Sequence, residues 1–146
     1  MARCFYDEGS NRVLIRDDFA KSAGLVAQKV TWKQQVVGQT DFEIVEGNIY
    51  LAELIDINGK LWKIWGYGIS SIMTSDLPSM KSLKRYFPHV PENALKGLAM
   101  KEVDTLLGLN INHLFPVGGV GIDKHQGMKA KRSLFGCGWV LGVWMA

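Results

Sequence analysis

Apolar and polar residues alternate with a period near two over much of the first half of the chain, the spacing expected of half-buried strands. Lys29 to Val37 and Phe42 to Leu54 alternate in part, and Gly38-Gln39-Thr40-Asp41 between them has turn chemistry. The pair therefore predicts a β-hairpin. A second hairpin is sharper. Ile49 to Ile57 and Leu61 to Trp65 flank Asn58-Gly59, the dipeptide that best accepts the two positive φ angles of a type I′ turn. Asn11 to Ile15 predicts another short strand, and Asp17 or Asp18 can cap a helix reaching about Ala23. Gly24 then stands where a left-handed residue ends a helix. From Met73 to Lys101 the character changes. Pro78, Pro88 and Pro91, with the helical spacing of Leu83, Tyr86 and Phe87, predict a loop with one or two short helices. Val103 to Leu109 predicts a short apolar strand, followed by a turn or short helix through Phe115. Gly118, Gly119 and Gly121 mark a loop, and Met128 to Val143 predicts one or two closing strands. With no repeat and no linker, the expected class is mainly β with short helices, in one domain over residues 1–146.

Composition narrows the classes without naming one. Hydrophobic residues at 47% and charged residues at 21% describe an ordinary folded domain. The net charge of +3 is mild, and Lys124, Lys129, Lys131 and Arg132 are read as a solvated face and not as a nucleic-acid patch. The five tryptophans are read as core and interface residues in the same way. Cys4 and Cys137 lie far apart with no CxxC spacing, which excludes a cysteine-rich zinc site and suggests a reducing, cytoplasmic setting, with one disulfide left open. His89, His113 and His125 lack metal-ligand spacing, so neither a metal nor a cofactor is expected. Gly118-Gly119-Val120-Gly121 lacks the order of a phosphate-binding loop. No signal-peptide core is seen between Met1 and Ser10, and the most apolar stretch, Phe135 to Ala146, is too short to span a membrane. It is read instead as a buried or subunit-pairing strand.

The sharpest chemical signal stands early. Phe5-Tyr6-Asp7-Glu8-Gly9-Ser10 places an acid after two apolar residues, then a variable residue, glycine and a hydroxyl. Such an arrangement predicts a carboxylate at the end of a buried strand, held in a tight turn. The glycine permits close backbone approach, and its amide and the following hydroxyl can hydrogen-bond the carboxylate. D-x-G-S by itself occurs in many turns. A second element, Leu106-Leu107-Gly108, follows Val103-Asp104-Thr105 far downstream.

Together with further strings, these motifs resemble the retropepsin-like aspartic protease domain of BEL/Pao-type LTR retrotransposon polyproteins. The run FYDEGSNRVLIRDDFAKSAGL, Phe5 to Leu25, is similar to that family's active-site strand, following strand and short helix. Asn58-Gly59-Lys60, the segment Gly66 to Ile72, Tyr86-Phe87-Pro88, Val103 to Asn110, His113 to Pro116 and Ser133 to Gly142 resemble its later segments in the same order. The resemblance implies an acid-protease barrel with one lobe per chain. Asp7 matches the catalytic aspartate, and Gly9 and Ser10 the residues shaping its loop. Val37, Gly38, Gln39 and Thr40 fall where the flap closes over substrate, and Leu106, Leu107 and Gly108 match the strand supporting the active-site loop. One D-x-G-S motif per chain excludes a two-lobed enzyme, so the implied partner is a second copy of the chain. The implied substrate is an extended apolar segment of the element's own polyprotein, and the implied place a retrotransposon particle. No metal, cofactor, membrane or nucleic acid is called for.

Glu8 departs from the pattern. Retroviral proteases carry threonine or serine there, whose hydroxyl ties the two active-site loops together, and glutamate adds charge beside them. With only Met1 to Tyr6 ahead of Asp7, this leaves a second expectation: a catalytically decayed or domesticated domain used for dimerisation or peptide binding.

Overall fold

The computed structural model describes residues 2, 4–7, 9–36, 38–56, 58–72, 84–85, 88, 102–114, 124–125, 128–131 and 140–143. The chain is mainly β. Strands β1 (Cys4–Tyr6), β2 (Leu14–Arg16), β3 (Val26–Gln34), β4 (Glu43–Ile55), β5 (Leu61–Ile69) and β6 (Thr105–Leu107) form one mixed sheet in the order β1-β6-β2-β5-β4-β3. β1 and β3 are its edges, so the described sheet is open. A short helix α1 (Asp17–Ser22) follows β2, and a 3-10 segment (Leu109–Leu114) follows β6. β7 (Lys124–His125), β8 (Met128–Lys131) and β9 (Val140–Val143) make a separate antiparallel sheet.

One face of the large sheet is the core. Val13, Ile15, Tyr50, Ala52, Ile64 and Leu107 are buried there with Ala20 of α1 and with Ile111 and Leu114 of the 3-10 segment. Its packing leaves no room at Gly66, where a Cβ would come within 2.5 Å of the Ile15 side chain. Both expected hairpins are present, β3–β4 with register Val26↔Leu51 to Gln34↔Glu43 and β4–β5 with register Ile49↔Tyr67 to Ile55↔Leu61.

Several local expectations need correction. The strand expected from Asn11 begins only at Leu14, because the Ser10 hydroxyl donates to the Arg12 carbonyl (2.9 Å) and accepts the Arg12 amide (3.3 Å), bending the chain there. Helix α1 starts after Arg16 with no side-chain cap. Asp17 is otherwise engaged: its Oδ1 accepts the Tyr50 hydroxyl at 2.7 Å. Gly24 does end the helix region at φ 67. The β4–β5 turn is not a two-residue type I′ turn. Asp56 N–H donates to the Lys60 carbonyl and Gly59 N–H to the Asp56 carbonyl, both at 3.0 Å, giving a three-residue loop with Gly59 left-handed at φ 79. The cause is Asp56. Its buried carboxylate accepts the amides of Asn58 (2.8 Å) and Lys60 (2.9 Å) and the Trp62 indole N–H (3.1 Å). The indole bond, followed by the backbone amides, holds Asp56 below the usual carboxylate range. The downstream strand is shorter than Val103 to Leu109, covering Thr105–Leu107, since a 3-10 segment starts at Leu109. Most of Met73 to Lys101, the glycine loop at 118–121, Cys137 and most of Leu134 to Trp144 lie outside the described residues.

Candidate active site

Asp7 leaves the end of β1, where its N–H donates to the Leu107 carbonyl of β6 at 3.0 Å. β1 and β6 run parallel, with Cys4↔Thr105, Phe5↔Leu106 and Tyr6↔Leu107 in register, and β6 inserts between β1 and β2. The loop after Asp7 is tied down twice more. Ser10 N–H donates to the Asp7 carbonyl at 3.3 Å, and Leu109 N–H donates to the Ser10 carbonyl at 2.8 Å. Gly108 lies flat on this loop, because a Cβ there would stand 2.2 Å from the Arg12 carbonyl oxygen. Leu106, Leu107 and Gly108 thus lie against the Asp7 loop, with Leu107 1% exposed on the core side.

The Asp7 carboxylate is partly exposed. Its Oδ1 accepts the Gly9 amide at 2.8 Å, and among the described residues Oδ2 has no hydrogen-bond partner. Two sequence expectations fail here. The Ser10 hydroxyl turns to Arg12 and not to the Asp7 carboxylate. The strand carrying Asp7 is not buried either: β1 is a sheet edge, with Cys4 exposed and Phe5 41% exposed. Cys4 carries a free thiol.

The registers also define what surrounds Asp7. Phe5↔Leu106, Leu106↔Leu14, Leu14↔Tyr67 and Tyr67↔Ile49 form one row across five strands, on the face opposite the main core cluster, with Leu106 itself buried at 8% exposure. Asp7, two residues beyond Phe5, belongs to the same side by strand alternation. Further along, Trp32 lies across Gly47, where a Cβ would come within 2.8 Å of its ring, and meets Tyr67 edge-on at 4.8 Å between centroids. The Arg12 guanidinium sits over Tyr67, 5.7 Å from its ring centre.

The hairpin β3–β4 extends beyond the core to a tip at 35–42. There Gly38 is left-handed at φ 88, Gln39 N–H donates to the Val36 carbonyl at 3.0 Å, and the Gln35 amide donates to the Gln39 carbonyl at 3.0 Å. Gly38, Gln39 and Thr40 therefore occupy the tip, while Val37 and Glu8 lie outside the described residues. An open hollow of about 470 Å³ along this hairpin is lined by Lys29, Val30, Thr31, Glu46, Gly47 and Asn48. By register Lys29, Thr31, Glu46 and Asn48 share the face of Tyr50 and Ala52, and Val30 and Gly47 fall on the other face.

Sequence reasoning missed the clamp that fixes β6. Arg16 N–H donates to the Asp104 carbonyl and its guanidinium to Asp104 Oδ1, both at 2.8 Å, with Glu102 at 3.4 Å. The Asp104 hydrogen bond chiefly, then the Glu102 charge, raises the Arg16 pKa and keeps it cationic. An acid immediately before the Thr-Leu-Leu-Gly string was the available signal. Among the described residues, no group of acids, histidines and cysteines could hold a metal ion, and no helix is long and apolar enough to cross a membrane.

Comparison with protein-family models, with curated proteins and with solved structures returned no match.

Proposed function

We propose that the chain is one subunit of a homodimeric aspartic endopeptidase of the retropepsin type. One observation supports this most directly. An Asp-x-Gly-Ser loop is pinned by a Leu-Leu-Gly strand arriving from about a hundred positions away, through Asp7 N–H to Leu107 O and Leu109 N–H to Ser10 O. Three devices hold the backbone around a carboxylate whose Oδ2 stays open among the described residues: these bonds, the Gly9 amide on Oδ1 and the glycine contact at 108. A turn aspartate with no task would not need such support.

In the proposed mechanism, two Asp7 side chains meet across a two-fold axis and share one proton. The charged carboxylate takes a proton from a water that attacks the scissile carbonyl carbon, and the protonated partner gives its proton to the carbonyl oxygen. Breakdown of the tetrahedral intermediate returns a proton to the leaving nitrogen. The tip at Gly38, Gln39 and Thr40 would add backbone hydrogen bonds to an extended peptide, as strand addition does.

Asp7→Asn tests this reading. Cleavage of apolar peptides by the wild-type chain should be lost in the variant, with the unfolding midpoint nearly unchanged. Activity that survives the substitution would remove Asp7 from the mechanism. Activity per chain should also fall on dilution, in step with dissociation seen by sedimentation, because one chain carries half of the acid pair. A fully active monomer is incompatible with the proposal.

A further inference from the structure

The row on the Asp7 face is apolar, and a cation stands over its aromatic member, Tyr67. Phe5, Leu106 and Leu14 are neighbours in register on the side assigned to Asp7, with Leu106 buried and Phe5 exposed, and Arg12 supplies the cation. We infer that Arg12 selects an acidic side chain in the peptide bound along this row. The inference rests on reading the row as the peptide groove of the protease proposed above.

The support is geometric. Arg12 is held at its base, since Ser10 Oγ bonds both its amide and its carbonyl. Its guanidinium lies over Tyr67, which is backed by Trp32, itself seated over Gly47. At 5.7 Å from the ring centre the cation lies within cation–π range of Tyr67, an attraction that takes up none of its N–H donors, which stay available to a carboxylate. Arg12 is exposed, and no carboxylate pairs with it among the described residues. Arg16, four positions on, shows the contrast: Asp104 and Glu102 occupy its donors. An arginine with its backbone held by Ser10 and its cation beside the aromatic member of an apolar row, within the loop that carries Asp7, is therefore a charge-reading position. An extended peptide turns alternate side chains toward such a surface, so one flanking residue would meet Arg12 while the residues nearest the scissile bond meet Phe5 and Leu14.

The test uses fluorogenic peptides with an apolar centre, in which a single Glu or Gln is scanned through the flanking positions. At one position the wild-type chain should cleave the Glu peptide about tenfold better than its Gln counterpart, the contribution of one charge-assisted hydrogen bond. The gain should lie in KM and shrink with added salt. Arg12→Gln should abolish the preference, and Arg12→Glu should transfer it to a Lys peptide. Equal discrimination by wild type and Arg12→Gln overturns the inference, as does cleavage with no preference at any position. Binding of the same peptides to Asp7→Asn, read by fluorescence anisotropy, separates the two proposals. An Arg12-dependent preference for Glu in binding, with no cleavage by wild type, upholds acidic-peptide recognition and sinks the protease reading. Failure to bind any of the peptides overturns the recognition.

Discussion

Replacing Gly108 by alanine should loosen the support of the Asp7 loop more than any other single methyl added nearby. A Cβ at this position would stand 2.2 Å from the Arg12 carbonyl oxygen, 2.6 Å from its carbon and 2.7 Å from its nitrogen. These are backbone atoms and cannot rotate away. Ordinary contact begins near 3.4 Å, so the two segments must part by about 1.2 Å. The Leu109 N–H to Ser10 O bond, now 2.8 Å, spans the same gap and would stretch out of range. Its loss costs about 1 kcal/mol and overpacking costs about 1–3 kcal/mol. Reduced freedom of the unfolded chain returns about 0.4–1 kcal/mol. The net is a destabilisation of about 1–3.6 kcal/mol. With a mid-range urea slope of about 2 kcal/mol/M, the midpoint should fall by roughly 0.5–1.8 M, read by tryptophan fluorescence at one fixed protein concentration. Gly38→Ala is the control, since nothing lies within 4 Å of its Cβ and the strain of its φ of 88, about 1–2 kcal/mol, is offset by the same about 0.4–1 kcal/mol from the unfolded chain. A Gly108→Ala midpoint equal to or above that of Gly38→Ala would refute the close-approach argument.

Other substitutions probe the remaining contacts. Tyr50→Phe removes the hydroxyl that donates to Asp17 at 2.7 Å and should cost about 1.5 kcal/mol in urea unfolding; an unchanged midpoint would show that water replaces the bond fully. Leu107→Ala empties a site that is 1% exposed and should cost about 3 kcal/mol, whereas Phe5→Ala at the exposed edge should cost far less; similar losses would contradict the assignment of core and outer faces. Asp56 is held below the ordinary carboxylate range by the Trp62 indole and the turn amides, so its stabilising effect is complete above that range and is lost as pH falls through its folded-state value. Asp56→Asn should therefore flatten the acid limb of stability against pH, and an identical acid limb in the variant would exclude Asp56 as its source.

Period-two alternation made β3, β4 and β5 readable from the sequence, because neighbouring strands joined by short turns need only local information to pair. The helix after β2 and its end at Gly24 were readable for the same reason. Asp7-Glu8-Gly9-Ser10 stood out as a motif, but its alternation could not reveal that β1 would be a half-exposed edge. Resemblance alone suggested that Leu106-Leu107-Gly108 lies by the Asp7 loop; nothing in the local pattern of either segment encodes a parallel pairing across about a hundred residues. Competing hydrogen bonds were beyond sequence reasoning too. Ser10 had both its own loop carboxylate and Arg12 within reach, Asp17 could cap a helix or accept from Tyr50, and Asp56 displaced a two-residue turn by gathering three donors. The row from Phe5 through Leu106, Leu14 and Tyr67 to Ile49 joins residues of five strands. Each strand's own alternation determines which of its residues share a face, but only the non-local registers, set by burial of the opposite face, align those residues beside Asp7.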